Sequence, residues 1–214
     1  MKYSILIGSY ARGDFNENSD CDVLLVDTEE SEFEISALST GARKYVGFIN
    51  YDEKTFLRLY EIGSLFLYHV LQEGVVIEGD RREWSHLRSS FVVQSNFINE
   101  LNEIVKTTDL LSKTAIFGGK FLTPLVNAFT ELKNACIFSL AHHGIYEFNK
   151  TKCFERSFEN SDRYLRLKSL KSFYDYSVRS LDVQLPFDPN DGKVCATLLK
   201  MANTMAKELQ NACK

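Results

Sequence analysis

The sequence predicts a small mixed α/β domain over residues 1–80, followed by an all-helical bundle over residues 81–214. Three observations carry this reading. Four short apolar runs of strand length lie before residue 80, separated by glycine-marked breaks and one helix-length segment. Beyond Arg81 the apolar residues recur at helical spacing throughout. Charge also changes sign at the same place: residues 1–80 carry 6 Lys or Arg against 15 Asp or Glu, a net of -9, and residues 81–214 carry 19 against 14, a net of +5. An acidic half able to attract cations and a basic half able to attract phosphates are thereby joined in one chain.

Taken in order, Lys2 to Ile7 is read as a first strand, Ser9 to Phe15 as a short helix opened by Gly8, and Cys21 to Asp27 as a second strand. The acidic stretch Thr28 to Glu34 is expected to be a loop or the start of a helix. Lys44 to Asn50 is read as a third strand. Lys54 to Gln72 places Phe56, Leu57, Tyr60, Leu65, Phe66, His69 and Val70 at helical spacing, with Asp52 as its cap and Gly74 as its stop. His69 falls on the apolar stripe and is expected to be packed. Val75-Val76-Ile77 is the last short strand, and Gly79-Asp80 closes the domain. The helices expected beyond are Trp84 to Leu111, Leu122 to Tyr146, Asp162 to Ser180 and Gly192 to Ala212, with Pro186 and Pro189 breaking the chain before the last. Together they make a four- or five-helix bundle, whose Phe and Tyr side chains are expected in the core.

Composition narrows the function classes. A hydrophobic content of 44% with 3 prolines is that of a packed globular protein. No apolar stretch has the length of a bilayer span and the N-terminus lacks a basic segment followed by an apolar one, so a cytoplasmic protein is the expectation. The 5 cysteines, Cys21, Cys136, Cys153, Cys195 and Cys213, are odd in number and form no CxxC pair; they are expected to be reduced thiols. Overall acidity disfavours extended duplex binding. Arg163, Arg166, Lys168 and Lys171 beside Tyr164, Phe173, Tyr174 and Tyr176 could contact RNA, but a basic face on an amphipathic helix is the favoured reading.

The chemistry concentrates between Ile5 and Asp27. Residues two apart in a strand face the same way, so Asp20 and Asp22 project side by side and repel unless a cation sits between them. Paired hard oxygens suit Mg²⁺, with Mn²⁺ as a substitute; Mg²⁺ keeps several waters and shares its other positions with substrate phosphates. Cys21, between the two, turns to the opposite face and is expected to pack. Upstream, Gly8-Ser9 ends a strand and offers backbone N–H groups and a hydroxyl to an anion. Phosphate on one side and metal on the other describe a nucleoside triphosphate site.

At Gly8, Ser9, Arg12, Gly13, Ser19, Asp20 and Asp22 the sequence resembles the nucleotidyltransferase superfamily that includes DNA polymerase β, in particular its minimal prokaryotic branch. Gly-Ser at this distance from Asp-x-Asp would arise by chance in roughly a few chains in a thousand of this size. The resemblance implies a small mixed sheet and transfer of a nucleoside monophosphate from an NTP such as ATP to a small-molecule or protein hydroxyl. Gly8, Ser9 and Arg12 would bind the nucleotide, and Asp20 and Asp22 would be catalytic metal ligands. The family's third acid should fall at or near Gly47, which has no side chain. Asp52 and Glu53 beyond the strand, and Glu32 and Glu34 before it, are the nearest acids. In related two-domain antibiotic-modifying transferases the helical domain supplies a base and a triphosphate-contacting lysine; the resemblance offers Glu131 and Lys133, on the second long helix, as their counterparts in this chain.

The helical half also resembles the HEPN-like domains that accompany minimal nucleotidyltransferases in toxin-antitoxin and antiviral defence loci. The ribonuclease string of that family, an arginine followed at short distance by a histidine, has only a chance match from Arg81 to His86, and His142-His143 lacks the arginine. Two functions follow from the resemblances: an active nucleotidyltransferase, or a catalytically impaired antitoxin or defence component that binds a nucleotide or a protein partner such as a toxin, or forms a homo-oligomer.

Overall fold

The order in which β-strands and helices alternate up to residue 94, and helices alone follow, is that of two separately cored units, Met1–Gln94 and Ser95–Lys214. The computed structural model describes residues 1–39, 46–158 and 168–214. The start of the expected third strand, Lys44 and Tyr45, and the basic-aromatic residues Arg163, Tyr164 and Arg166 lie outside the described residues.

The first unit is built on a four-stranded mixed sheet of order β3-β2-β1-β4. Its strands are β1 (Tyr3–Ile7), β2 (Cys21–Val26), β3 (Val46–Tyr51) and β4 (Val75–Glu78). β1 runs antiparallel to both β2 and β4, and β2 runs parallel to β3. Strand alternation sorts the side chains onto two faces. Tyr3, Ile5, Ile7, Leu24 and Val26 join one buried cluster with Phe56, Leu67, Val70, Leu71 and Trp84, from helices α2 (Glu53–Glu61), α3 (Leu65–Glu73) and α4 (Arg81–Ser90). Cys21, Val23 and Leu25 go to the other face, where Phe33 and Leu38 cover them. Cys21 is therefore packed opposite its aspartate neighbours, as alternation requires.

Two expected helices are each broken in two. The segment read as one helix over 54–72 bends at Gly63, which takes a left-handed φ of 65°. A Cβ there would stand 2.6 Å from the Gln94 backbone nitrogen and 2.7 Å from the Val92 carbonyl oxygen. That close approach is sealed by the Gln94 N–H donating to the Gly63 carbonyl at 2.9 Å, so the chain can turn there only with glycine. Helix periodicity alone could not show it, because the segment that crowds Gly63 lies some thirty residues further on. The second break separates α4 from α5 (Ile98–Ser112) at residues 91–97, where one continuous helix from Trp84 to Leu111 was expected. The unit boundary follows it: the structure divides after Gln94 rather than after residue 80, because α4 packs Trp84 into the sheet's core.

The second unit is helical. α5, α6 (Leu122–His142), α7 (Lys150–Phe158), α8 (Leu170–Ser177) and α9 (Gly192–Ala212) share one core, in which Leu101, Leu125, Leu132, Phe173 and Ala206 are fully buried. α6 stops at His142, just before Gly144 instead of at Tyr146, and α7 has no counterpart among the expected helices; it buries Cys153 and Phe154 in the core, with Phe158 packed against it. Within this core Thr108 Oγ1 donates to Asn203 Oδ1 at 3.2 Å, a polar pair that ties α5 to α9 in one register. Among the described residues no helix is long and apolar enough to cross a membrane.

The five cysteines are free thiols, four of them buried. Burial pushes Cys21 up to about 11 and Cys153 up to about 12. Iodoacetamide applied to the native protein at about pH 8 is expected to modify the partly exposed Cys213 first and spare the other four, since a thiol must be both accessible and ionised to react. Peptide mapping that found Cys21 or Cys153 alkylated at a comparable rate would contradict this packing.

Candidate nucleotide site

The residues singled out by spacing meet at one end of the sheet. β1 ends at Ile7, whose antiparallel partner is Asp22 near the start of β2. On the other side of β2, Asp22 is in parallel register with Gly47 near the start of β3. Asp20 immediately precedes β2. Thus the aspartates, the Gly8-Ser9 turn and Gly47 come from three neighbouring strands at the same edge.

Two glycines leave the space around Asp22 open. Gly8 has φ 71°, and a Cβ on it would lie 3.1 Å from Asp22 Oδ2. A Cβ on Gly47 would lie 3.4 Å from Asp22 Oδ1. A side chain at Gly8 would press on the Asp22 carboxylate, whereas one at Gly47 would meet it at ordinary contact distance, and the left-handed turn at Gly8 is one that other residues adopt only at a cost. Both glycines preserve access to a carboxylate that the fold holds only half-buried.

The helix that follows, α1 (Gly8–Arg12), has only five residues. Its macrodipole is correspondingly small, so what it can offer an anion is local: backbone N–H groups and the Ser9 hydroxyl. Tyr10 stacks on Phe15, with ring centroids 4.3 Å apart and planes at 7°. Arg12, expected to face the nucleotide, is held by two carboxylates: its Nη1 lies 3.2 Å from Glu73 Oε2 and its Nε lies 3.2 Å from Asp14 Oδ1. His69 Nδ1 lies 2.9 Å from the same Glu73 oxygen, so this histidine touches a carboxylate on its own helix as well as packing. Burial alone would push the Glu73 carboxyl up; the hydrogen bonds and charges of His69 and Arg12 outweigh it and hold the group below the usual glutamate range.

The sequence profile described as "Nucleotidyltransferase domain" matches residues 3–84. A relative from Methanocaldococcus jannaschii, described as a candidate protein adenylyltransferase, is 38% identical over 80 residues, which are 36% of this chain and 78% of that protein. The chain belongs to the nucleotidyltransferase family. A solved nucleotidyltransferase-like protein from Exiguobacterium sibiricum 255-15 is also similar over 98% of this chain and 69% of its own, at 12% identity and a TM-score of 0.38, too slight a likeness to carry an argument.

Against that family, the third-acid position can be judged by geometry. Gly47 shares its strand face with Asp22, since Ile49 and Tyr51 at alternate positions join the same core cluster as Leu24 and Val26. Asp52 and Glu53 lie past the opposite end of β3, roughly 16 Å away at the rise of an extended strand, and both are engaged: Asp52 accepts from the Thr55 N–H at 2.7 Å as the cap of α2, and Glu53 holds the Met1 amino group at 3.1 Å. Glu32 pairs with Lys2 at 3.3 Å, beside the start of β1 and so also at the far end of the sheet. Among the described residues no group of three or more His, Cys, Asp or Glu side chains is arranged to hold a metal ion. Of the nearest acids, Asp52, Glu53 and Glu32 therefore stand at the far end of the sheet from Asp22.

In the helical unit, Glu131 and Lys133 sit on α6. Lys133 is largely desolvated, and burial together with the nearby Lys150 pushes its ammonium below the ordinary lysine range, while burial raises Glu131. Of the basic and aromatic residues that could contact RNA, Lys171 pairs with Asp175 and Phe173 is fully buried in the helical core. The Arg81 to His86 string lies on α4 in the first unit.

Proposed function

We propose that this chain transfers a nucleoside monophosphate, with ATP the first substrate to test, from a Mg²⁺-bound triphosphate to a hydroxyl group, a protein hydroxyl being the acceptor suggested by the name of the M. jannaschii relative. The observation that carries the proposal is the Asp22 carboxylate set between Gly8 and Gly47 at the edge where the Gly8-Ser9 turn ends β1. Asp20 and Asp22 would hold the ion, whose charge would offset the negative charge of the phosphates. Two carboxylates suffice for one such ion, because Mg²⁺ takes its remaining ligands from water and phosphate oxygens. The chain's own groups do the rest: Ser9 and the adjoining N–H groups orient the triphosphate, and the open flank at Gly47 admits the acceptor. In the reaction an acceptor oxygen forms a bond to the α-phosphorus, the bond from that phosphorus to the bridging oxygen breaks, pyrophosphate leaves, and the hydroxyl proton passes to solvent or a carboxylate. Incubation with labelled ATP or GTP, Mg²⁺ and candidate acceptors is expected to release pyrophosphate and label the acceptor; no release with any NTP across small-molecule and protein acceptors would sink the proposal.

A second reading is favoured by one observation, the glycine where the family's third acid belongs. In it the site binds a nucleotide but turns over little, and the chain serves as the antitoxin or defence partner of another protein. Gly47→Asp tests the observation behind it. A carboxylate added beside Asp22 is expected to tighten Mn²⁺ binding and raise turnover about tenfold or more; unchanged metal affinity and turnover would show that Gly47 is not the vacant third-acid position.

A further inference from the structure

The Gly8-Ser9 turn rides on a helix that cannot hold itself in place. α1 is five residues long and buries none of them, and a single turn of helix is far below the length that is stable in isolation. Tyr10 packs against the cluster on the second face of the sheet, and a charged hold on the helix comes through Arg12. Its guanidinium spans two carboxylates, Glu73 on α3 and Asp14 just past the end of α1, and Glu73 in turn is braced by His69 one turn earlier on α3. These side chains are withdrawn from solvent, Arg12 being 19%, Glu73 27% and His69 12% exposed. α3 itself is immobilised by Leu67, Val70 and Leu71, all buried in the sheet's core. A charge-assisted pair anchored on a rigid helix and sheltered from water is a stronger tether than a surface ion pair.

We propose that Glu73 is a positioning residue: by gripping Arg12 it fixes α1, and with it the Gly8-Ser9 turn, at its set distance from Asp22. What the turn holds rests on the nucleotide reading given above; the grip itself does not. Arg12 then acts on the nucleotide through the backbone it anchors rather than by touching phosphate.

The test has two arms. In the nucleotide-free protein, amide hydrogen exchange over residues 8–14, where the Gly13 and Asp14 N–H groups both donate to the Ser9 carbonyl, is expected to become about tenfold faster in Glu73→Gln, with β1 and β2 unchanged. Unchanged exchange there would overturn the proposal. Should Glu73→Gln speed exchange over the whole first unit, Arg12→Gln breaks the same pair from its other side and gives the same readout. The second arm is a double-mutant cycle on MgATP affinity. Each single variant is expected to weaken binding about tenfold and the double variant no further; additive losses would mean that Arg12 meets the nucleotide independently, and the proposal would fall. If the wild-type chain bound no MgATP, the nucleotide reading would fail while the exchange arm still decided the grip.

Discussion

Asp22→Ala, and separately Asp20→Ala, is expected to reduce pyrophosphate release by about a hundredfold or more while leaving the fold intact, because each removes charged oxygen at the point where the triphosphate and its ion would meet. The fold should tolerate both changes. Asp22 is half-buried at a strand end beside two glycines, so an alanine there removes a carboxylate without opening a packed core. The informative result is the combination: lost turnover, lost Mg²⁺-dependence of nucleotide binding, and an unshifted melting curve. Wild-type turnover in either variant would move the chemistry away from this pair.

Trp84→Ala is expected to be the most destabilising single change in the first unit, by about 3–5 kcal/mol, the usual cost of emptying a buried aromatic site. Trp84 is 6% exposed. Its ring centroid lies 5.2 Å from that of Tyr3 on β1 and 6.4 Å from that of Phe56 on α2, so one side chain closes the sheet, α2 and α4 into one core. Further bonds tie α4 to the same unit: the Tyr3 hydroxyl donates to Glu83 at 2.6 Å, and the Tyr60 hydroxyl donates to the Leu87 carbonyl at 3.0 Å. Hydrogen exchange is the measurement that locates the effect, because the variant removes the chain's single tryptophan and with it the fluorescence signal. Protection should fall across residues 1–94 and hold across residues 95–214. A loss confined to the second segment would place α4 with the helical unit after all.

The role of Trp84 is not legible along the chain, for a physical reason. There it reads as the first apolar position of a long helix, and nothing local distinguishes a helix that opens a bundle from one that closes the preceding domain. Only the partners of Trp84, some eighty and thirty residues earlier, tell them apart. The same holds for Gly63, whose need for glycine comes from the backbone of Val92 to Gln94, and for Arg12, whose motif position suggests a phosphate ligand while its carboxylate partners include one on a helix some sixty residues away.

Short-range order along the chain is enough for a good part of this protein. Strand alternation places Asp20 and Asp22 opposite Cys21, the interval from Gly8-Ser9 to Asp20 identifies the family, and the run from Gly192 to Ala212 marks the last helix at its observed ends. These follow from backbone periods of two and 3.6 residues, which any short stretch displays. Which distant residues share a surface is settled in three dimensions alone. Packing sets Gly47 beside Asp22 through the parallel register of β2 and β3, carries Asp52 and Glu53 to the far end of the same strand, and withdraws Arg12 onto Glu73. Each outcome depends on strand order and helix packing, energies summed over many weak contacts between segments far apart in the chain, and no local pattern encodes such a sum.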